Sequence, residues 1–402
     1  MSGQAIAMGA GLFLNLFIGY KYGTSSLGVF NQSLAYYLIL STLFALGLNN
    51  ALIKKISEKT RNTTEENRLF TGNLMTTFVI STTLSSFLAL VLFYFPNLLS
   101  SIELAHIIPS MLLALPFFTL NKNFGAYYNG NRKQKSVAFQ RIYRWGGLSI
   151  IFIIGGLFEY SLYQLMFSFL VIEGSLTILN ISLNIRNFNF NMSFELIWDS
   201  VVFGMGSYIS EITSTFNSSI DIIIVAYFLT EQEAGQYSFI AFFVRTLYVF
   251  PGILMQNITP IISFLWVKKE IARLNSKLRK LRKVNLILLS VQFVFLLVLY
   301  KIIILKMTNG FESTYIPFVI ALLGSFLFAQ ISWGGSILIM TEKLKANFQR
   351  TLIVLLINII VCTSLSFSLG FIGSVSAISL NALLSFLLLK TFVYRQTEIR
   401  LI

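Results

Sequence analysis

Glu211 and Asp221 lie inside one long apolar stretch of this sequence, and Arg245 lies inside the next. Charged groups in hydrocarbon are costly and persist where they meet a partner or line a polar cavity, so these residues are the first to read for chemistry. Along the first stretch Ser207, Glu211, Ser214, Ser218 and Asp221 recur at steps of four, three, four and three, which is one stripe of an α-helix. Along the second, Arg245, Tyr248, Gly252 and Gln256 recur at three, four and four. At 1.5 Å per residue Asp221 and Arg245 both lie ~11–15 Å below the same face, on neighbours that run antiparallel. Arg245 suits the fixed cation for an anionic group, since its planar fork of donors matches phosphate; the alternative is a structural ion pair with Asp221. Glu211 reads as a cavity acid that titrates with a coupling proton or holds a sodium ion, or as a protonated structural acid.

A second basic set, Lys122, Arg132, Lys133, Lys135, Arg141 and Arg144, could collect a diphosphate. Most of these read as topology determinants, and Lys122 is the exception because it stands between Asn121 and Asn123 in the fourth apolar stretch. Glu173 has no evident polar stripe around it and stays outside the expected site. The expected substrate-binding residues are thus Arg245, Lys122, Tyr248 and Gln256, with Asp221 and Glu211 as an ion-coupling or structural pair. No catalytic or metal residue is expected: the single His106 is isolated at a helix end, the single Cys362 lies inside an apolar stretch, and no phosphate-cradling P-loop occurs. No cofactor is expected beyond a coupling proton or sodium ion.

The elements that must position these residues are twelve apolar stretches, near 3–20, 28–50, 70–95, 107–127, 137–158, 163–184, 197–228, 235–266, 284–305, 316–340, 350–370 and 373–394. Each is close to the ~20 residues that cross a bilayer. Of the 30 Lys and Arg, Lys21, Lys301 and Lys306 fall on one face and Arg245 inside a stretch; the rest fall in or beside alternate gaps. Basic residues resist translocation, so those gaps are cytoplasmic, and both termini with them. Pro109 and Pro116 in the fourth stretch, and Pro251 and Pro260 in the eighth, are expected to bend their helices. The segment Lys268 to Lys283 places Ile271, Leu274, Leu278 and Leu281 on one helical face and is expected to lie along the cytoplasmic surface.

With 55% apolar and 11% charged residues, the chain is no soluble multidomain protein. Its net charge of +14 sits where anionic headgroups would meet it, so lipid rather than nucleic acid is the expected partner. The first stretch lacks a basic leader and reads as a retained helix rather than a cleaved signal peptide. The outer gaps are short, leaving no room for an external catalytic domain. An internal repeat pairs Leu27-Gly28-Val29-Phe30 with Ala234-Gly235-Gln236-Tyr237, each followed by an apolar helix ending in Lys-Lys, at Lys54-Lys55 and Lys268-Lys269. It divides the chain into two six-helix lobes, 1–195 and 196–402.

Four segments carry a resemblance to a known family. They are Tyr22-Gly23 through Leu27-Gly28-Val29-Phe30, with Leu46-Gly47-Leu48 and Lys54-Lys55-Ile56-Ser57; Ser219-Ile220-Asp221-Ile222-Ile223-Ile224 with Ala234-Gly235-Gln236-Tyr237-Ser238 and Pro260-Ile261-Ile262-Ser263; Ile339-Met340-Thr341-Glu342-Lys343 with Asn358; and Gly370 through Ala377. With these the chain resembles the polysaccharide flippases of the multidrug/oligosaccharidyl-lipid/polysaccharide exporter superfamily. Gly373-Ser374-Val375 departs from the usual Gly-Ala-Ala. The resemblance implies an all-α, polytopic membrane fold of about twelve spans in two lobes around a central cationic cavity. It implies transport of undecaprenyl-diphosphate-linked O-antigen or capsule repeat units across a bacterial inner membrane, with a polysaccharide polymerase as a partner. Asp221 matches the acidic position of the family's seventh-helix motif. A multidrug exporter of the same superfamily is the alternative, and a membrane glycosyl-polymerase or ligase is a further one; a purely structural scaffold would leave the buried charges without a role.

Overall fold

The computed structural model describes residues 2–58, 63–95, 98, 99, 101–191, 194–307, 310–399 and 401, with the side chains at 2–8, 102, 256, 257 and 260 outside the description. Among these residues the chain is helical and contains no strand. Among the described residues nine helices are long and apolar enough to cross a membrane. Two of them hold two expected spans each, because a glycine breaks them: α1 (Ser2–Ala45) at Gly23, φ 83°, and α14 (Leu344–Thr397) at Gly370, φ 59°. Positive φ is nearly free for glycine alone, and both breaks fall in gaps expected on the outer face. The remaining expected span, the seventh, is α8 (Phe194–Phe228), whose stripe of Ser, Glu and Asp sets it apart from the nine apolar helices. The protein is an all-α, multi-pass membrane protein.

The chain forms two compact units, Met1–Tyr22 with Val29–Ser219, and Gly23–Gly28 with Ile220–Ile402. The division falls inside α8, well past residue 195, where the sequence repeat would put it. The reason lies in the helix itself. Its first half is tied into the first unit by Lys55 to Asp199 at 2.5 Å, Tyr208 to the Leu43 carbonyl at 2.8 Å, and Thr42 beside Thr215 at 3.2 Å. Its last turns carry Asp221 into the second unit.

In the first unit the core beside the basic loops joins α2 (Leu48–Ser57), α3 (Thr63–Tyr94), α4 (Ile102–Gly130) and α5 (Gln134–Leu157) through Leu52, Ile56, Phe70, Phe124, Tyr127 and Val137. The Phe70 and Tyr127 rings stack at 4.1 Å. α6 (Leu162–Met166) and α7 (Ser168–Asn184) replace the single sixth span expected. α4 runs unbroken through Pro109 and Pro116.

In the second unit the eighth expected span is two helices, α9 (Glu231–Thr246) and α10 (Val249–Val267). The break at Leu247 and Tyr248 precedes Pro251, which then sits in the first turn of α10, where its missing N–H is no loss. Gln292 donates to the freed Thr246 carbonyl at 2.7 Å. The tenth expected span also divides, into α12 (Tyr315–Ala329) and α13 (Gly335–Met340). Asn285 holds the end of α12 by donating to the Ala329 and Gln330 carbonyls.

The expected surface helix is corrected. Residues 271–283 open α11 (Ile271–Lys306), one helix of 36 residues and hence ~54 Å, longer than the ~30 Å of hydrocarbon. Leu274 and Leu278 are fully buried against Ile262, Trp333, Ile337 and Leu401. The face that would have entered lipid is covered by protein. Three corners beside basic loops share one geometry, with Arg132, Lys269 and Glu342 left-handed at φ 58°, 58° and 60°. Each is followed by an N–H bonded to the carbonyl five residues back, as from Lys133 to Tyr128 at 2.8 Å, a Schellman end.

The repeated glycines meet within the second unit. A Cβ on Gly28 would overlap the Glu231 carbonyl oxygen, and a Cβ on Gly235 would overlap that of Thr24. Each glycine lies four residues after the carbonyl its partner touches, so the contact is reciprocal.

Candidate functional site

Two ionic clusters carry the four charged residues of the expected site, Lys122 with Glu211 in the first unit and Arg245 with Asp221 in the second. The first forms where the chain breaks between α1 and α2. Leu46 and Gly47 both take positive φ, 46° and 69°. A side chain at 47 would overlap the Gly204 backbone of α8. This close approach presents the first turn of α2 to Glu211. Asn50 donates to Glu211 Oε2 at 2.8 Å, and Asn49 to Oε1 at 3.3 Å. A carboxylate at a helix N-terminus also sits well with the helix dipole. Lys122 of α4 completes the cluster, its Nζ 3.2 Å from Glu211 Oε1, and both side chains are 21% exposed. Lys122 is therefore engaged by an acid, where the sequence suggested a cation held ready for substrate.

The second cluster lies on α8 and α9. Arg245 donates through Nη2 to both oxygens of Asp221, at 3.3 and 3.0 Å, and the buried Tyr237 hydroxyl donates to Oδ2 at 2.9 Å. Arg245 stands in the last turn of α9, where a cation complements the helix dipole. The sulfur of Cys362 lies 3.9 Å from the Asp221 carbonyl oxygen. Asp221 is sheltered, its side chain 13% exposed, while that of Arg245 is 43% exposed. Among the described residues Nη2 alone is committed, and Nε and Nη1 remain as donors for another group. The expected stripe below Arg245 does not continue as one helix face. Tyr248 lies in the break and packs its ring edge-on against Phe328 of α12, at 5.8 Å between centroids. The Gln256 side chain lies outside the described residues, as do Lys59, Arg61, Pro96, Arg400 and the Pro260 side chain.

A sequence model of the polysaccharide biosynthesis protein family matches residues 1–266, well over half of the chain. The chain belongs to that family. No curated protein sequence matches it. Among solved structures it is similar to the lipid II flippase MurJ in an inward closed conformation, at 17% identity and TM-score 0.79, covering 97% of this chain and 86% of that one. It is also similar to an inward-facing multidrug resistance MATE family transporter of the MOP superfamily, at 12% identity and TM-score 0.76, over 97% and 95% of the two chains. A MOP superfamily transporter from Pyrococcus furiosus follows, at 12% identity and TM-score 0.67, over 97% and 93%. At such identities the likeness establishes the fold.

In this polysaccharide biosynthesis family member the first unit holds a third ionic group, one the sequence reading left out. Glu173 of α7 is 1% exposed. Its Oε1 accepts from Arg144 Nε and its Oε2 from Arg144 Nη2 at 3.0 Å, the two-pronged pairing that a guanidinium makes with a carboxylate. Asn121 donates to Oε2 at 2.8 Å, and the chain of bonds continues through Asn180 to Tyr128, Gln140 and Asn184. The Arg144 guanidinium lies over the Phe118 ring at 4.5 Å. A stripe was in fact present, because Glu173, Thr177, Asn180 and Asn184 recur at four, three and four in α7. Arg144, grouped by sequence with the loop cations, is instead the partly buried partner of a buried acid.

Proposed function

We propose that the chain flips undecaprenyl-diphosphate-linked oligosaccharide repeat units, of the O-antigen or capsule kind, from the inner to the outer leaflet of the bacterial inner membrane. The termini and the basic corners face the cytoplasm in this reading. Family membership supports the saccharide, and the fold shared with a lipid II flippase supports a lipid-linked form of it. The observation that carries the site is Arg245, a 43%-exposed guanidinium deep in an apolar stretch with two donor positions unspent. A diphosphate would use those donors while the polyprenyl tail stays in lipid.

Alternating access needs a substrate or ion that binds the two states differently. Glu211 and Asp221 supply that difference: a proton or sodium ion taken by Glu211 loosens Lys122, and one taken by Asp221 loosens Arg245, releasing each cation to the anionic headgroup. A polymerase that extends the delivered repeat unit is the expected partner on the far side. The second reading, drug export, draws on the MATE likeness. Arg245 disfavours it for cationic drugs, which a fixed guanidinium repels.

The test is transport of a fluorescent diphosphate-linked saccharide lipid by the full chain in proteoliposomes. Arg245→Ala is expected to abolish flipping with normal insertion, and Arg245→Lys to keep part of it. Undiminished flipping by Arg245→Ala would remove that residue from the site, and drug-driven transport without saccharide-lipid transport would favour the second reading.

A further inference from the structure

Arg350 stands in the second turn of α14, beside the basic corner at Lys343, and it is only half exposed. Lys55, Lys122, Arg144 and Arg245 each meet a carboxylate within ion-pair distance. Arg350 meets none among the described residues. Its Nη2 donates to two neutral oxygens of its own helix, Asn347 Oδ1 and Thr351 Oγ1, both at 3.3 Å. Its Nε is buried and has no partner among the described residues. A guanidinium cannot shed its charge, so desolvating it without an anion is costly, and a buried donor left open calls for an explanation.

The space around the group is shaped for one. Gly335, at the start of α13, faces the guanidinium: a Cβ there would touch Arg350 Nη2 at 3.8 Å and nothing else. One residue on, the Ser336 hydroxyl is buried and unpartnered. The absent side chain at 335 leaves room in front of a forked cation. Exposed Lys343 and Lys345 raise the local positive charge at the mouth. Two turns into a helix that starts at the basic end is ~10 Å, the depth of lipid headgroups rather than of the hydrocarbon centre.

We propose that Arg350, with the open face of Gly335 and the hydroxyls of Ser336 and Thr351, binds the phosphate of a lipid. Nε and Nη2 share one edge of the guanidinium, and Nη2 holds only neutral oxygens at 3.3 Å, so this edge can turn to two phosphate oxygens. This site is separate from Arg245 and does not require the transport reading above. The phosphate can come from an anionic phospholipid or from a polyprenyl diphosphate, and the two sources separate by experiment.

The full chain in nanodiscs of phosphatidylcholine is titrated with phosphatidylglycerol, with undecaprenyl diphosphate and with uncharged undecaprenol, and bound lipid is read by native mass spectrometry. Arg350→Gln is expected to weaken at least one phosphate-bearing lipid tenfold or more and to leave undecaprenol unchanged. Arg350→Lys is expected to fall between, since it keeps the charge and loses the fork. Gly335→Val, which fills the space and keeps the guanidinium, is expected to weaken the same lipid and also covers the case in which Arg350→Gln fails to fold. Loss confined to phosphatidylglycerol identifies a phospholipid site; loss confined to undecaprenyl diphosphate identifies a second subsite for the carried lipid. Wild-type affinity for both phosphate lipids in Arg350→Gln and Gly335→Val overturns the site. A wild-type chain that binds phosphatidylglycerol at Arg350 yet moves no diphosphate-linked lipid would sink the transport reading and leave this one standing.

Discussion

The acid-cation pairs differ in how deeply they are embedded, and that difference decides what each can do. Arg144 and Glu173 are locked by Asn121 and by the chain of amides beyond it, with Glu173 1% exposed. Removing one partner strands the other in a buried site, so Glu173→Ala is expected to cost about 3–5 kcal/mol of stability. Replacing both by leucine should cost less than the two single changes added together, as read by thermal unfolding in detergent. A double variant as damaged as the sum would show that the two groups act independently. Arg245 is the contrasting case: its own side chain is 43% exposed, Asp221 keeps the Tyr237 hydroxyl when it leaves, and a solvent-screened pair contributes about 1 kcal/mol or less. Arg245→Ala should therefore unfold within a degree or two of wild type while losing transport, and a large fall in melting temperature would class it with the structural ions. The pairing of Arg245 with Asp221 was legible in sequence from depth and antiparallel direction. That of Lys122 with Glu211 was not, because it depends on a backbone corner at Leu46 and Gly47 that carries Asn49 and Asn50 round to α8. Arg144 was misread for a related reason: in sequence it is one more cation beside a basic loop, and only the packing of α5 on α7 turns it inward.

Breaks between helices set where those side chains point. The apolar pattern located every span, since hydrocarbon imposes length and composition so strongly, but it could not show that the sixth, eighth and tenth are each interrupted. Apolar residues look alike on either side of a short break. What marks the interruptions is how the freed backbone groups are satisfied, by Gln292 for α9 and by Asn285 for α12. The reciprocal contact of Gly28 with Gly235 was visible only as a repeated motif. It predicts that Gly235→Ala displaces segment Gly23–Gly28 from the second unit. Leu27, fully buried there, makes the reporter. In a background with Cys362→Ser, a cysteine at Leu27 should be protected from maleimide in the parent and become reactive once Gly235→Ala is added. Unchanged protection would show that the helices absorb a methyl group without separating.

At the scale of the whole chain, the charge pattern and the helix order make one joint statement about orientation. Cysteines replacing the exposed Lys133 and Lys343 should react with a membrane-impermeant maleimide only in inverted vesicles, and one replacing Glu159 only in right-side-out vesicles. Labelling of all three from one side would break the assignment of both termini to the cytoplasm. The two-lobe division expected near residue 195 rests on a repeat, and a repeat does not register that a single helix of 35 residues can belong to two compact units. The interlocked glycines carry one more consequence, for the chain's descent. In each direction the atom that a new methyl group would strike is main-chain oxygen, of Thr24 or of Glu231, which every residue type possesses. No exchange of a neighbouring side chain can make room, so this contact offers no compensating second mutation. Lineages that retain the contact are expected to retain both glycines, however far the surrounding helices drift.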